Sequence, residues 1–174
     1  MCGRFGEQEG QGSDPWQSGQ VSGRSRSAAA GAAAATVWAL QEPIDQRLLR
    51  CDYSDVAVLG KEVTRGPGWR VAGLVLHAVN GAIFGLVFYA LQRRLRLDSR
   101  RLALGMALCE HVSLYPLSYF VDHYHPARGE LGVPPLLTNP RAFTQATWRH
   151  TLFAVVFGWL WHPHRPEPGG AWRA

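Results

Sequence analysis

The stretch "WRVAGLVLHAVNGAIFGLVFYAL", Trp69 to Leu91, carries no formal charge after Arg70. At about 1.5 Å per residue it is long enough to cross roughly 30 Å of hydrocarbon. A surface helix of a soluble bundle needs a polar face, with Lys, Glu or Gln about every third or fourth residue. Between Val71 and Leu91 the strongly polar positions are His77 and Asn80. A helix apolar all round is buried or in lipid, and this block predicts a membrane span.

Three further blocks extend the pattern. Arg24 and Arg26 precede an Ala-rich run that reaches Leu40 and continues to Ile44. Leu102 to Val121 and Ala142 to Trp161 are the other two. Trp69, Tyr89, Tyr119, Tyr124, Trp159 and Trp161 mark block ends, as expected of aromatic belts at two interfaces. The expected fold is all-α: an integral membrane four-helix bundle over residues 27–161, with helices at about 28–44, 69–91, 102–121 and 142–161. Residues 1–26, rich in Gly, Ser and Gln, are expected to be a disordered tail. Residues 162–174 are expected to be a Pro-rich polar tail. The segment 126–143, with four prolines and an apolar centre, reads as a rigid connection more than as an ordered cap.

Apolar residues make up 47% of the 174 residues, and the net charge is +5. Lys61 is the only lysine among eighteen basic residues, so the charge is almost all arginine. These arginines flank apolar blocks, which points to a lipid bilayer as partner and away from nucleic acid. The loop "QRRLRLDSRR" holds five arginines and is placed in the cytoplasm by the positive-inside rule, as are both termini. The first external loop runs against the rule, with Arg47, Arg50, Lys61 and Arg65. Cys2, Cys51 and Cys109 make no disulfide framework.

Ionisable groups in membrane helices are costly and usually face the bundle interior. Here they are Glu42 and Asp45 at the end of helix one, His77 and Asn80 in helix two, Glu110 and His111 in helix three, and Arg149 and His150 in helix four. Depth counting puts His77 and His150 each about 12 Å from one surface, with Glu110 near that level. Gly73, His77, Gly81 and Gly85 recur every four residues, and small residues at that spacing let helices approach closely. The expectation is one polar layer in which Glu110 pairs with Arg149, and His77, Asn80, His111 and His150 complete the network.

"DHYH" adds Asp122, His123 and His125. With His111 they form an alternative metal set, since imidazole and carboxylate are common ligands. On a helix, His123 and His125 point about 200° apart, so one metal would need an extended segment. There is no HExxH, CxxC, Walker or nucleophile-elbow pattern. No cofactor is expected, and these patterns assign no catalytic residue.

"VWALQEPIDQRLLRCDYSDVAVLGKEVTRG", "GLVLHAVNGAIFGLVF" and "EHVSLYPLSYFVDHYHPARGELGVPPLLT" resemble a family of small uncharacterised multi-pass membrane proteins of high-GC bacteria. The resemblance covers about residues 28–161. It implies a four-helix membrane fold and no assigned activity. The expected function is therefore a small transport-related, accessory or structural protein of a bacterial inner membrane, alone, as a homo-oligomer or in a larger complex. The alternative is a small membrane-embedded enzyme, metal-assisted, using Glu110, His111 and the DHYH segment.

Overall fold

The computed structural model describes residues 15–95 and 97–161, with side chains from residue 22. Among these residues the chain is all-helical, without a strand. Helix α1 runs Pro15–Leu49, α2 Asp55–Val63, α3 Trp69–Leu95, α4 Ser99–Leu114, α5 Ser118–Tyr124 and α6 Pro140–Leu160, with a 3-10 turn at Tyr115–Leu117.

Several boundaries differ from the sequence reading. Helix α1 begins well before residue 28, so residues 15–26, expected as disordered tail, are helical. It also continues through Pro43 to Leu49. The expected tail segments 1–14 and 162–174 lie outside the described residues. The third block is not one helix. Pro116 lacks the backbone N–H that an α-helix requires, and the chain tightens there into the 3-10 turn. Helix α2 is absent from the sequence reading, although its start carries a signal. Ser54 accepts from Ala57 N at 3.0 Å, an N-cap, and Asp55 sits in the first turn.

The glycine stripe of α3 decides the packing. A Cβ on Gly81 would stand 2.4 Å from the Gly31 carbonyl oxygen, and one on Gly31 would stand 1.9 Å from that of Gly81. A Cβ on Gly85 would meet the Ser27 carbonyl oxygen at 2.1 Å. Backbones this close admit no side chain, so α1 lies directly on α3. Ser27 Oγ donates to the Gly85 carbonyl at 2.6 Å across the same contact. Gly73 and Gly60 bring α2 against the start of α3 in the same way. Helix α6 packs on α1 and α4, and α4 touches α3 little.

Below the polar layer the core is aromatic. Phe84 and Phe88 meet Phe153 and Phe157 edge to face at centroid separations of 4.7–5.5 Å, the geometry aromatic quadrupoles favour. Trp161 closes this end and donates to Gln92 at 2.9 Å.

The segment 126–139 is an ordered cap, not merely a connection. Asp122 accepts from the backbone N–H groups of Leu136 and Leu137 at 2.7 and 2.9 Å. Lys61 Nζ donates to the Leu131 carbonyl at 2.8 Å, and Glu130 pairs with Lys61 and Arg65. Gly132 turns at φ 87°, where its missing Cβ avoids Ala57. The cap ends at Asn139, which accepts from the first N–H groups of α6, with Pro140 opening the helix.

Gly31→Val drives a side chain into the Gly81 carbonyl, and overpacking of this kind costs about 1–3 kcal/mol. Purified Gly31→Val is therefore expected to melt several degrees below the parent. Gly105→Ala, with nothing within 4 Å, is expected to melt at or above it. Equal melting of Gly31→Val and parent would contradict the α1–α3 contact.

Candidate functional site

Arg149, on α6, is wholly buried, and every N–H of its guanidinium has an acceptor. Nε and Nη2 grip Asp45 with two bonds of 2.7 Å. Nη2 also reaches the Tyr53 carbonyl at 2.9 Å. Nη1 reaches Asp55 at 2.7 Å and Glu42 at 3.4 Å. The planar fork of arginine matches this arrangement; a lysine would not. The Tyr53 ring lies 5.1 Å from the guanidinium carbon.

The carboxylates are fixed in turn. Asp45 accepts from Gln145 and Gln41, each at 2.6 Å. Glu42 accepts from Ser54 Oγ at 2.5 Å and from the Asp55 backbone N–H at 2.9 Å. Asp55 accepts from Trp38 Nε1 at 3.1 Å and from the Tyr53 hydroxyl. The end of α1, the start of α2 and the middle of α6 are thus tied by one cation. Burial pushes the Asp55 carboxyl up, but Arg149, His77 and its hydrogen bonds outweigh this and hold it below the ordinary carboxylate range. Burial, together with the Asp55 charge, raises the Tyr53 hydroxyl well above its ordinary value.

A second group lies beneath the first, joined to it by Trp38. His77 and His150 approach the Trp38 ring edge to face at 4.8 and 4.6 Å. His150 Nδ1 lies 2.8 Å from the Ala146 carbonyl, which can only accept, so Nδ1 carries the proton. Thr147 spends its hydroxyl proton on the Phe143 carbonyl, so His111 Nε2, 2.9 Å from Thr147 Oγ1, is the donor there. The His111 and His150 rings lie 4.8 Å apart. Glu110 and Asn80 lie beside His150 at the same level.

The expected pairing of Glu110 with Arg149 is therefore corrected. Three acids from α1 and α2 occupy the guanidinium, and Glu110 lies in the histidine group instead. Of the residues singled out by sequence, Glu42, Asp45 and Arg149 fall in the upper group, and His77, Asn80, Glu110, His111 and His150 in the lower. Tyr53, Ser54, Asp55, Gln41 and Trp38 are members that sequence reasoning misses. Without α2, Asp55 reads as a loop charge.

The alternative metal set is not brought together. His111 bonds Thr147, Asp122 caps backbone N–H groups, and His123 is exposed and stacks on Tyr119 at 4.1 Å. His125 is buried elsewhere. It accepts from Ala127 N at Nδ1 and donates from Nε2 to the Val58 carbonyl. Among the described residues no group of three or more His, Cys, Asp or Glu side chains has an arrangement suited to a metal ion.

Removing one partner from a buried ion pair costs about 3–5 kcal/mol, because the remaining charge is stranded. Arg149→Gln and Asp45→Asn should each destabilise strongly, and the double variant should recover at least about 1 kcal/mol relative to their sum. Glu110→Gln with Arg149→Gln should instead be additive to within about 0.5 kcal/mol, since the two share no partner. The lowered Asp55 carboxyl gives a pH test. Its contribution is complete above the ordinary carboxylate range and is lost as pH falls from that range through the lowered value of the folded state. Asp55→Asn should flatten the acid side of a plot of melting temperature against pH.

Compared with family models, curated proteins and solved structures, the chain finds no match.

Proposed function

We propose that this chain is a multi-pass protein of a bacterial inner membrane, with a polar interior that serves a small transport-related or accessory role. The distribution of polarity carries this reading. Arg149 is fully buried, while large apolar side chains stand on the outside. Among the described residues, α3 is long and apolar enough to cross a membrane, and only 33% of its most apolar stretch, of mean hydropathy 2.0, is buried. The core helix of a soluble protein would be mostly covered.

Outward faces elsewhere support further spans. Val37, Leu40 and Ile44 of α1 are exposed, as are Val112 of α4, Phe120 of α5, and Trp148, Val155 and Trp159 of α6. Exposed apolar area on this scale is covered by lipid or by another chain. Helix α6, with 21 residues, is about 31 Å long, matching the hydrocarbon thickness. Arg93, Arg94, Arg100 and Arg101 gather at the α3–α4 end, which is the cytoplasmic end by the positive-inside rule. The Arg149 cluster and the cap then belong to the opposite half.

Carbonate extraction of cell membranes tests the reading: the protein is expected to stay in the pellet. Cys109 is exposed on α4 and would face lipid. It is expected to resist a charged, impermeant maleimide in membranes and to react after denaturation in SDS. Release by carbonate would overturn the proposal.

A further inference from the structure

We propose that the gap between α3 and α4 is a binding site for a small primary ammonium ion, an alkylamine in its protonated form. The inference rests on the membrane reading and names the ligand class of its polar interior.

A cavity of about 270 Å³ opens between these helices and reaches from Asp55 to Glu110. His77 is 5% exposed and lines it, and His77 Nε2 has no hydrogen-bond partner among the described residues. A buried polar atom without a partner is costly, which marks this atom as one that a ligand satisfies.

The lining selects what the ligand must bring. Its hydroxyl and indole donors are already spent: Tyr115 on the Leu136 carbonyl, Ser118 on the Tyr115 carbonyl, and Tyr53 and Trp38 on Asp55. With Nε2 of His111 and Nδ1 of His150 protonated, His111 Nδ1 and His150 Nε2 are left as acceptors. Glu110 adds a carboxylate that no cationic side chain pairs among the described residues. The remaining side-chain donors of the lining are the Asn80 amide, which bonds Glu110, and the single N–H of the His77 ring. Acceptors therefore outnumber free donors in the cavity, and a ligand rich in N–H groups suits it.

Charge makes the same selection. In the interior, Arg149 faces Glu42, Asp45 and Asp55, with Glu110 one layer below. The carboxylates outnumber the guanidinium, so an anion is repelled and a cation is attracted. A metal ion would use the same lone pairs, but the described groups lack a coordinating arrangement. An ammonium group, with three N–H donors on one centre, needs no rigid coordination geometry. The mostly apolar remainder of the wall, Leu59, Leu114 and Val121 among it, suits a short alkyl chain.

The test uses the full chain purified in detergent, with calorimetric titration of n-butylammonium chloride near neutral pH. Saturable binding is expected, with no binding of 1-butanol, which lacks the charge. Tetramethylammonium, which has the charge but no N–H, is expected to bind at least tenfold more weakly. Glu110→Gln is expected to weaken butylammonium at least tenfold, and His77→Leu at least threefold, each in protein that retains a cooperative melt. If only one of these variants folds, that one decides. No binding of butylammonium, equal binding of butanol or tetramethylammonium, or unchanged affinity in the folded variants would overturn the proposal. Carbonate extraction decides the membrane reading separately, so either idea can fail while the other stands.

Discussion

The fork between Arg149 and Asp45 is the interaction on which the rest depends. A guanidinium wholly out of water is untenable unless its charge and all its N–H groups are met. Meeting them requires Asp45 at the end of α1, Asp55 at the start of α2, and the Tyr53 carbonyl between them, all at once. The turn at residues 50–54 is therefore shaped around a side chain far along the sequence. Arg50 takes a left-handed φ of 51° in that turn, which brings the chain back over the end of α1. Ser54 serves both sides, capping α2 while donating to Glu42.

Two kinds of close approach divide the work between the ends of the bundle. Towards the arginine-rich end, α1 and α3 meet backbone to backbone through Gly31, Gly81 and Gly85, and the phenylalanines of α3 and α6 interleave. These contacts are apolar and dense. At the other end, the ion cluster and the docked cap hold the helices by hydrogen bonds and charge. Between them α4 stands off α3, and the histidine layer occupies the transition. Polar contacts between helices are worth roughly 1 kcal/mol each, less than the packing below them, so they are better suited to orienting groups than to cohesion.

Much of this is legible in residue order. The all-helical character, the glycine stripe of α3 and the residues of the polar layer follow from apolar run length and four-residue spacing. The Glu110–Arg149 pairing fails because depth counting gives a level along the bundle normal but not an azimuth. Glu110 lies in the histidine layer beneath Arg149, and Asp45, Asp55 and Glu42 stand around the guanidinium instead. Asp55 is hidden for another reason. A nine-residue helix such as α2 has too few turns for an apolar period to stand out, and its charged residues resemble those of a loop. The break at Pro116 can be read from the missing N–H alone.

The two polar groups differ in how fully their hydrogen-bonding capacity is used. In the upper group each donor of Arg149 has an acceptor, and each carboxylate is fixed by a neighbour of known role. Such a group resists change, because any displacement strands a charge. In the lower group the imidazoles of His111 and His150 are oriented through one nitrogen only, by Thr147 and Ala146, and the other nitrogens are left over. Trp38 couples the two, with its N–H on Asp55 and its ring between His77 and His150.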